Sequence, residues 1–315
     1  MSERSICLLG GTGFIGRQLA ARLNADGHHV RVPTRKADTG RRLRVLPAVT
    51  VRVADVHDEN ALAKELAGCD VAINLIGILN ESGDNGRGFE HAHAELARKL
   101  VAACEAQGVR RLIQMSALRA SADGPSYYLR SKAAAEEAIR DSQLDWTILQ
   151  PSVVFGDEDS FTNRFAELLK LAKVLPLARP NARFAPVYVG DVVEVMARAV
   201  NDETMIGQTY QLCGPRVYSL RELVDYIRET SGLGGVTVGL PDSLAKLQGR
   251  IMQWLPGQPF SMDNYRSLTV HSICDTNGFK TLGIEPQSLE ALAPAWLAPT
   301  SRNARLSAYR RDAGR

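Results

Sequence analysis

Apolar positions follow two alternating rhythms along this chain. Short apolar runs, rich in Val, Ile and Leu, give way to longer stretches with helical spacing. Ser5–Leu9 predicts a buried first strand, and residues 17–25 an amphipathic helix ended by Asp26-Gly27. Residues 30–34 and 49–54 predict strands two and three. Residues 60–67 predict a helix, and the strongly apolar residues 71–78 a fourth strand. A long helix follows over 90–106, closed by Gly108. Arg111–Met115 predicts strand five, Tyr127–Arg140 a helix, and residues 146–149 strand six. Strands this apolar, alternating with helices, imply a parallel sheet covered on both faces. Right-handed crossovers then give a doubly wound α/β architecture, with ligands at the carboxyl ends of the strands.

Beyond Pro151 the pattern loosens. Residues 161–173 and 191–200 read as helices, and 187–189 and 209–213 as short strands. Ser219 begins a helix to Thr230, with Glu222 completing a capping box. Residues 232–239 are glycine-rich, and 244–254 are amphipathic. The expected organisation is a dinucleotide-binding domain over 1–155. The rest of the sheet, with a smaller mixed C-terminal lobe for substrate or partner, spans 156–298. A basic tail covers 299–315.

The 315 residues, 45% of them hydrophobic, suffice for a full core. The formal charge is +3, but the tail alone carries +4, through Arg302, Arg305, Arg310, Arg311 and Arg315 against Asp312, so the rest of the chain sums to −1. The body therefore lacks the charge of a nucleic-acid binder. The tail reads as a disordered, solubilising end; contact with an acidic membrane surface or partner is the sharper alternative. Cys7, Cys69, Cys104, Cys213 and Cys274 are odd in number, widely spaced and without a Cys-x-x-Cys pair. That pattern argues against a disulfide framework or a zinc site and for a reducing compartment. His91 and His93, two apart on a helix, do not share a face, so no metal site is expected. The first strand begins at once, and no apolar run reaches spanning length. A cytoplasmic location is expected, with peripheral attachment at the inner membrane surface left open.

Against that background one run stands out: Gly10-Gly11-Thr12-Gly13-Phe14-Ile15-Gly16, between the first strand and the first helix. Gly10 suits a sharp turn, Gly13 the approach of a pyrophosphate, and Gly16 close packing of helix on strand. Free N–H groups at the helix start favour the phosphates. Strand two ends in Thr34-Arg35-Lys36, where an acid would bind the adenosine ribose hydroxyl of NAD. Two cations after a hydroxyl suit a 2′-phosphate instead, so NADP(H) is preferred over NAD(H). Asp55 and Val56 end strand three and can meet adenine, although a plain turn also explains them. At the end of strand four, Leu75, Ile76 and Gly77 would let backbone approach the cofactor's ribose and phosphates. After strand six, Pro151, Val153 and Val154 would face the nicotinamide carboxamide.

Ser116 follows strand five, and Tyr128 and Lys132 form Tyr-x-x-x-Lys in the next helix. Four residues apart, the two share a helix face. A nearby ammonium lowers a phenol's pKa and makes it a usable acid/base. Ser116 can hydrogen-bond a substrate oxygen beside it. Such a set suits carbonyl reduction or alcohol oxidation, with Lys132 also holding the nicotinamide ribose.

The glycine run, Tyr128-Leu129-Arg130-Ser131-Lys132 with the Ala-Ala-Ala-Glu-Glu after it, and Leu149-Gln150-Pro151-Ser152-Val153-Val154-Phe155-Gly156 together resemble the atypical short-chain dehydrogenase/reductases, which are epimerase/dehydratase-like. Residues 157–165 and 185–192 extend the resemblance to the branch of the nucleotide-binding accessory subunit 9 of mitochondrial complex I and its bacterial relatives. It covers roughly residues 5–230 and weakens beyond Leu240. The resemblance implies a Rossmann fold holding NAD(P), with the glycine motif at Gly10, Gly13 and Gly16 and the phosphate-side cation at Arg35. It implies a structural nucleotide in the mitochondrial subunit and a link to ubiquinone synthesis in other relatives. Eleven residues separate Ser116 from Tyr128, fewer than in the extended members. Two functions follow as expectations. One is an NADP(H)-dependent oxidoreductase acting on an unidentified carbonyl, alcohol or quinone-related compound. The other is a nucleotide-binding accessory or assembly protein of a respiratory or ubiquinone-synthesis complex, docked to a membrane-associated partner.

Overall fold

The computed structural model describes residues 3–255 and 258–299. The basic residues of the tail thus lie outside the described residues. Seven strands form the main sheet. Six of them are β1 (Ser5–Leu9), β2 (His29–Thr34), β3 (Val49–Val53), β4 (Val71–Asn74), β5 (Arg111–Met115) and β6 (Asp145–Pro151); Gln208–Leu212 adds the seventh. Their order is β3-β2-β1-β4-β5-β6 followed by Gln208–Leu212. β1 pairs in parallel with both β2 and β4, and β2–β3, β4–β5 and β5–β6 are parallel too. The strand order reverses beside β1, at the switch point where such sheets bind ligands.

Five helical segments matter to the site: α1 (Phe14–Ala25), α2 (Glu59–Leu66), α3 (Arg87–Phe89), α4 (Leu96–Gln107) and α5 (Tyr127–Arg140). Alternate residues of the central strands feed opposite faces. Cys7 and Leu9 of β1 pack with Leu62 and Leu66 of α2, Leu96 and Leu100 of α4, and Ile139 of α5.

The chain folds into two compact units. Met1–Pro151 and Gly190–Gln211 make the first; Ser152–Val189 and the described residues from Leu212 onward make the second. The second unit has its own core, with Phe155, Leu169, Phe184, Leu223, Ile227 and Leu289. Three short two-stranded pairings frame it. The helix Leu220–Thr230 begins with the expected capping box of Ser219 and Glu222.

Three expectations are corrected. The fourth strand stops at Asn74 rather than Ile78, because the Asn74 side chain accepts the Ile76 N–H (3.1 Å) and turns the chain out of the sheet. The helix expected over 90–106 is broken: α3 leads into a π-helical stretch, Glu90–Glu95, before α4 begins. The cysteines are not all unpaired, since Cys213 and Cys274 form a disulfide. Sixty-one residues of sequence separate them, which hid the pairing. Cys7, Cys69 and Cys104 are buried thiols.

Candidate functional site

The glycine run forms a tight turn between β1 and α1. Gly10 adopts φ +77°, and its carbonyl accepts the Gly13 N–H (3.0 Å). Gly16 lies so close beneath that a Cβ there would stand 2.3 Å from the Gly10 oxygen. Helix and turn therefore touch through backbone alone. Among the described residues, no side chain caps α1 at Gly13. The first-turn N–H groups of Phe14, Ile15 and Gly16 are thus left for an anion, with the helix dipole behind them. The Arg17 guanidinium donates to the Thr12 carbonyl (2.8 Å) and braces the turn.

Arg35 and Lys36 are exposed just past β2. Thr34 is buried, and its hydroxyl is already engaged by Thr39 Oγ1 (2.8 Å) and the Lys36 carbonyl (3.3 Å). At the end of β3, Asp55 accepts the His57 N–H (3.0 Å), while Val56 packs into the core. Leu75 and Ile76 lie against the glycine turn: a Cβ on Gly10 would meet their backbone at 3.1 and 3.2 Å. Pro151 ends β6 in the first unit. Val153 and Val154 belong to the second, where Val154 pairs with Val187.

The end of β5 carries the most unusual chemistry. Lys132 is buried and donates to the Met115 carbonyl (3.3 Å). Burial lowers its pKa from 10.5 to about 8, although the Glu136 carboxylate opposes the shift. Glu136 is itself buried, holding Gln150 (2.8 Å) and Arg140 (2.6 Å). Next to Met115, Ser116 anchors its N–H on the Leu149 carbonyl (2.7 Å), yet among the described residues its buried hydroxyl has no hydrogen-bond partner. Gly77 reaches the same place from β4: a Cβ on it would lie 3.1 Å from Lys132 Nζ and 3.3 Å from His93 Nε2. Tyr128, one helical turn before Lys132, is half-buried.

His93 was not expected here. It sits on the π-helical stretch, buried, with its ring edge-on to Tyr128 (centroids 5.6 Å apart). Its Nε2 accepts the Ile78 N–H (3.1 Å), and its Nδ1 meets Ser131 Oγ (2.8 Å). Ser131 passes the chain on to the Tyr128 carbonyl (2.9 Å). Burial and the Lys132 cation lower the His93 pKa to about 2, so the ring is neutral. Glu81 is a second surprise. Its buried carboxylate accepts the N–H groups of Asn85 (3.1 Å), Gly86 (2.6 Å) and Gly88 (2.7 Å), which shapes the loop leading into α3. An acid just ahead of Gly83, Gly86 and Gly88 was the available sequence signal for it. The π-helical register that turns His93 inward has no such signal.

A family model described as NAD(P)H-binding matches residues 10–202. The chain belongs to this NAD(P)H-binding family. It is 34% identical, over 90% of its own length and 74% of the relative's, to the mitochondrial NADH dehydrogenase [ubiquinone] 1 alpha subcomplex subunit 9 of Arabidopsis thaliana. It is 31% identical to a ceramide reductase of Caulobacter vibrioides, over 59% of this chain and 57% of that one. An NADPH-dependent quinone oxidoreductase from Escherichia coli has the same fold, with a TM-score of 0.72 at 18% identity, covering 91% of this chain and 98% of that one. Family and fold agree with the sequence motifs: the chain has an NAD(P)-binding domain with a Rossmann fold like that of solved epimerases. Among the described residues, no helix is long and apolar enough to cross a membrane.

Proposed function

We propose that this NAD(P)-binding protein prefers NADP(H) and exchanges hydride with a carbonyl or alcohol, a quinone-related compound included. The observation that carries this reading is the end of β5, where the unsatisfied Ser116 hydroxyl adjoins the carbonyl held by the buried Lys132 ammonium. A buried hydroxyl without a partner costs about 1–3 kcal/mol and is kept where a ligand supplies the missing bond. A relative named as a reductase supports the same reaction class.

The residues fit a dinucleotide with a 2′-phosphate. Backbone at Gly10, Thr12, Gly13, Phe14, Ile15 and Gly16 would receive the pyrophosphate, in a turn with no room for a Cβ at Gly16. Arg35 and Lys36, with the Thr34 backbone, would hold the 2′-phosphate; both cations are exposed and no acid stands at 34–36. Asp55 and Val56 would border adenine, and Leu75, Ile76 and Gly77 the ribose and phosphates. Lys132 would hold the nicotinamide ribose, with Pro151, Val153 and Val154 at the carboxamide. When bound, the cofactor supplies or accepts the hydride. Ser116 would orient the substrate oxygen, and Tyr128 would give it a proton during reduction, with Lys132 keeping the phenol's pKa low.

A second reading rests on the 34% identity to a complex I subunit over most of the chain. Here NADP(H) would stabilise a cytoplasmic accessory or assembly protein that docks to a respiratory or other membrane-associated partner. NADPH oxidation against a panel of carbonyls and quinones separates the two. Turnover by the wild type that disappears in Tyr128→Phe supports the oxidoreductase. No turnover, together with a nucleotide that stays bound and unexchanged, supports the accessory role.

A further inference from the structure

The second unit exposes apolar side chains from two adjoining elements. On the helix Asp242–Met252, Leu244, Leu247 and Ile251 stand three and four residues apart, hence on one face, and all are exposed. Trp254, 79% exposed, and Leu255 follow directly. The opposite face is spent on packing: Ala245 and Gly249 are buried, and a Cβ on Gly249 would meet Met262 Sδ at 3.1 Å. Beside this helix lies the parallel pair Val174–Leu177 and Val236–Gly239. Its register sets Val174 opposite Val236 and Pro176 opposite Val238, and all four are exposed on one face. Gln248 donates to the Pro176 carbonyl (3.2 Å) and ties helix to strand.

Isolated exposed apolar residues need no explanation; a contiguous group does. Its charges indicate what covers it. Lys170 and Lys173 flank Leu171, which is 86% exposed, and Arg250 stands between Leu247 and Ile251. Glu167, a turn before Leu171, does not cancel them. Asp242 is already neutralised by Arg179 (2.9 Å) and Lys246 (3.1 Å). Protein interfaces are depleted of lysine, whereas long cationic side chains beside Leu, Ile and a terminal Trp suit the headgroup layer of an anionic bilayer. The last described residue, Pro299, lies against Gly232, whose Cβ would meet its ring at 3.0 Å. Five arginines, Arg302, Arg305, Arg310, Arg311 and Arg315, follow in sequence and lie outside the described residues.

We propose that this face docks the protein on an anionic membrane surface, with Leu244, Leu247, Ile251 and Trp254 entering the headgroup region and Lys170, Lys173 and Arg250 meeting lipid phosphates. The full-length chain is sedimented with phosphatidylglycerol–phosphatidylcholine vesicles and with phosphatidylcholine alone. Binding is expected with the anionic vesicles only, falling at least about tenfold at high salt. It should fall as far in Leu247→Glu/Ile251→Glu and in Lys170→Glu/Lys173→Glu, with wild-type circular dichroism and urea unfolding of both variants as the check on folding. Trp254 emission should move to the blue on binding, a shift absent from Trp254→Phe. No binding to anionic vesicles, or binding equal to wild type in Leu247→Glu/Ile251→Glu, overturns the proposal. So does light scattering that finds a stable dimer which those two substitutions dissociate, because the face would then belong to a second copy of this chain.

Discussion

His93 Nδ1 and Ser131 Oγ stand 2.8 Å apart, at the midpoint of a one-way hydrogen-bond chain. Because Ile78 N–H donates to Nε2, the imidazole proton must sit on Nδ1. Nδ1–H then donates to Ser131, whose hydroxyl proton goes to the Tyr128 carbonyl. His93 thereby locks the segment after β4 to the turn that carries Tyr128. His93→Leu leaves the Ile78 N–H and the Ser131 hydroxyl without this partner and should cost about 1–3 kcal/mol in urea unfolding at neutral pH. The pH profile should change as well. The folded-state pKa is about 2, below the ordinary 6.5, so as pH falls below 6.5 the unfolded chain takes the proton first. The wild type loses stability through that acid window, and the variant should lose less.

Lys132 predicts a change at the alkaline end. Its pKa falls from 10.5 to about 8 on folding, through burial. Between those values the unfolded chain holds a proton that the folded one has shed, so stability rises with pH across the window. Below pH 8 the ligand-free protein bears the full cost, on the order of 3 kcal/mol. Lys132→Met should be more stable than wild type at neutral pH and should lack the alkaline rise. The wild type should gain melting temperature with NADPH, and the variant should lose that gain. An NADPH shift of wild-type size in the variant would remove Lys132 from the cofactor site.

The two inner glycines of the turn should differ in cost. A Cβ at Gly13 would stand 3.2 Å from the Gly10 oxygen, but at Gly16 the same contact shrinks to 2.3 Å, against backbone that has nowhere to move. Gly16→Ala should destabilise by about 1–3 kcal/mol, as overpacking does. Gly13→Ala should leave stability closer to wild type and mainly weaken NADPH binding, because it obstructs the phosphate approach. Thermal unfolding with and without NADPH measures both.

Sequence resolved some of these relationships and not others, for physical reasons. β1, β5 and α5 are legible to the residue because apolar runs and helical spacing fix them locally. The glycine turn is legible because its steric demands admit no other residue at Gly16. The apolar pattern predicts too long a β4 because Leu75, Ile76 and Ile78 continue the run, while the Asn74 side chain ends the strand by a bond that apolar pattern does not encode. His93 escaped because its role depends on the register of the π-helical stretch. Val56 can serve equally as a core residue or a ring cover, and it lies in the core. The disulfide joins positions far apart in sequence, and only the fold brings them together.

Cofactor choice should turn on the end of β2. Arg35 and Lys36 are exposed there, and the Thr34 hydroxyl is occupied by its own turn, so of these three side chains the two cations are the ones open to a 2′-phosphate. Arg35→Asp with Lys36→Ser exchanges a cation for an acceptor of ribose hydroxyls. The ratio of NADPH to NADH affinity should fall by about tenfold or more, given the strength of charge-assisted phosphate bonds. Titration of the two nucleotides by fluorescence reads the ratio directly. An unchanged ratio would mean that discrimination, if any, lies elsewhere.

The Cys213–Cys274 disulfide should act on the second unit's stability and leave nucleotide affinity alone. It closes a loop of 61 residues, for which the chain-entropy model gives about 4 kcal/mol. Asn277 holds the Cys213 backbone independently, accepting its N–H (3.4 Å) and donating to its carbonyl (2.8 Å). The local geometry therefore has support beyond the sulfur bridge. Cys213→Ala/Cys274→Ala should fold, unfold at lower urea concentration, and respond no further to reductant, whereas the wild type should match it once reduced. NADPH affinity should change little between them, since the glycine turn, Arg35 and Lys132 lie in the first unit, and the second is proposed to add Val153 and Val154 at the carboxamide. A wild type insensitive to reductant would show that the bridge is not formed in solution, and a loss of NADPH affinity on reduction would show that it supports the first unit as well.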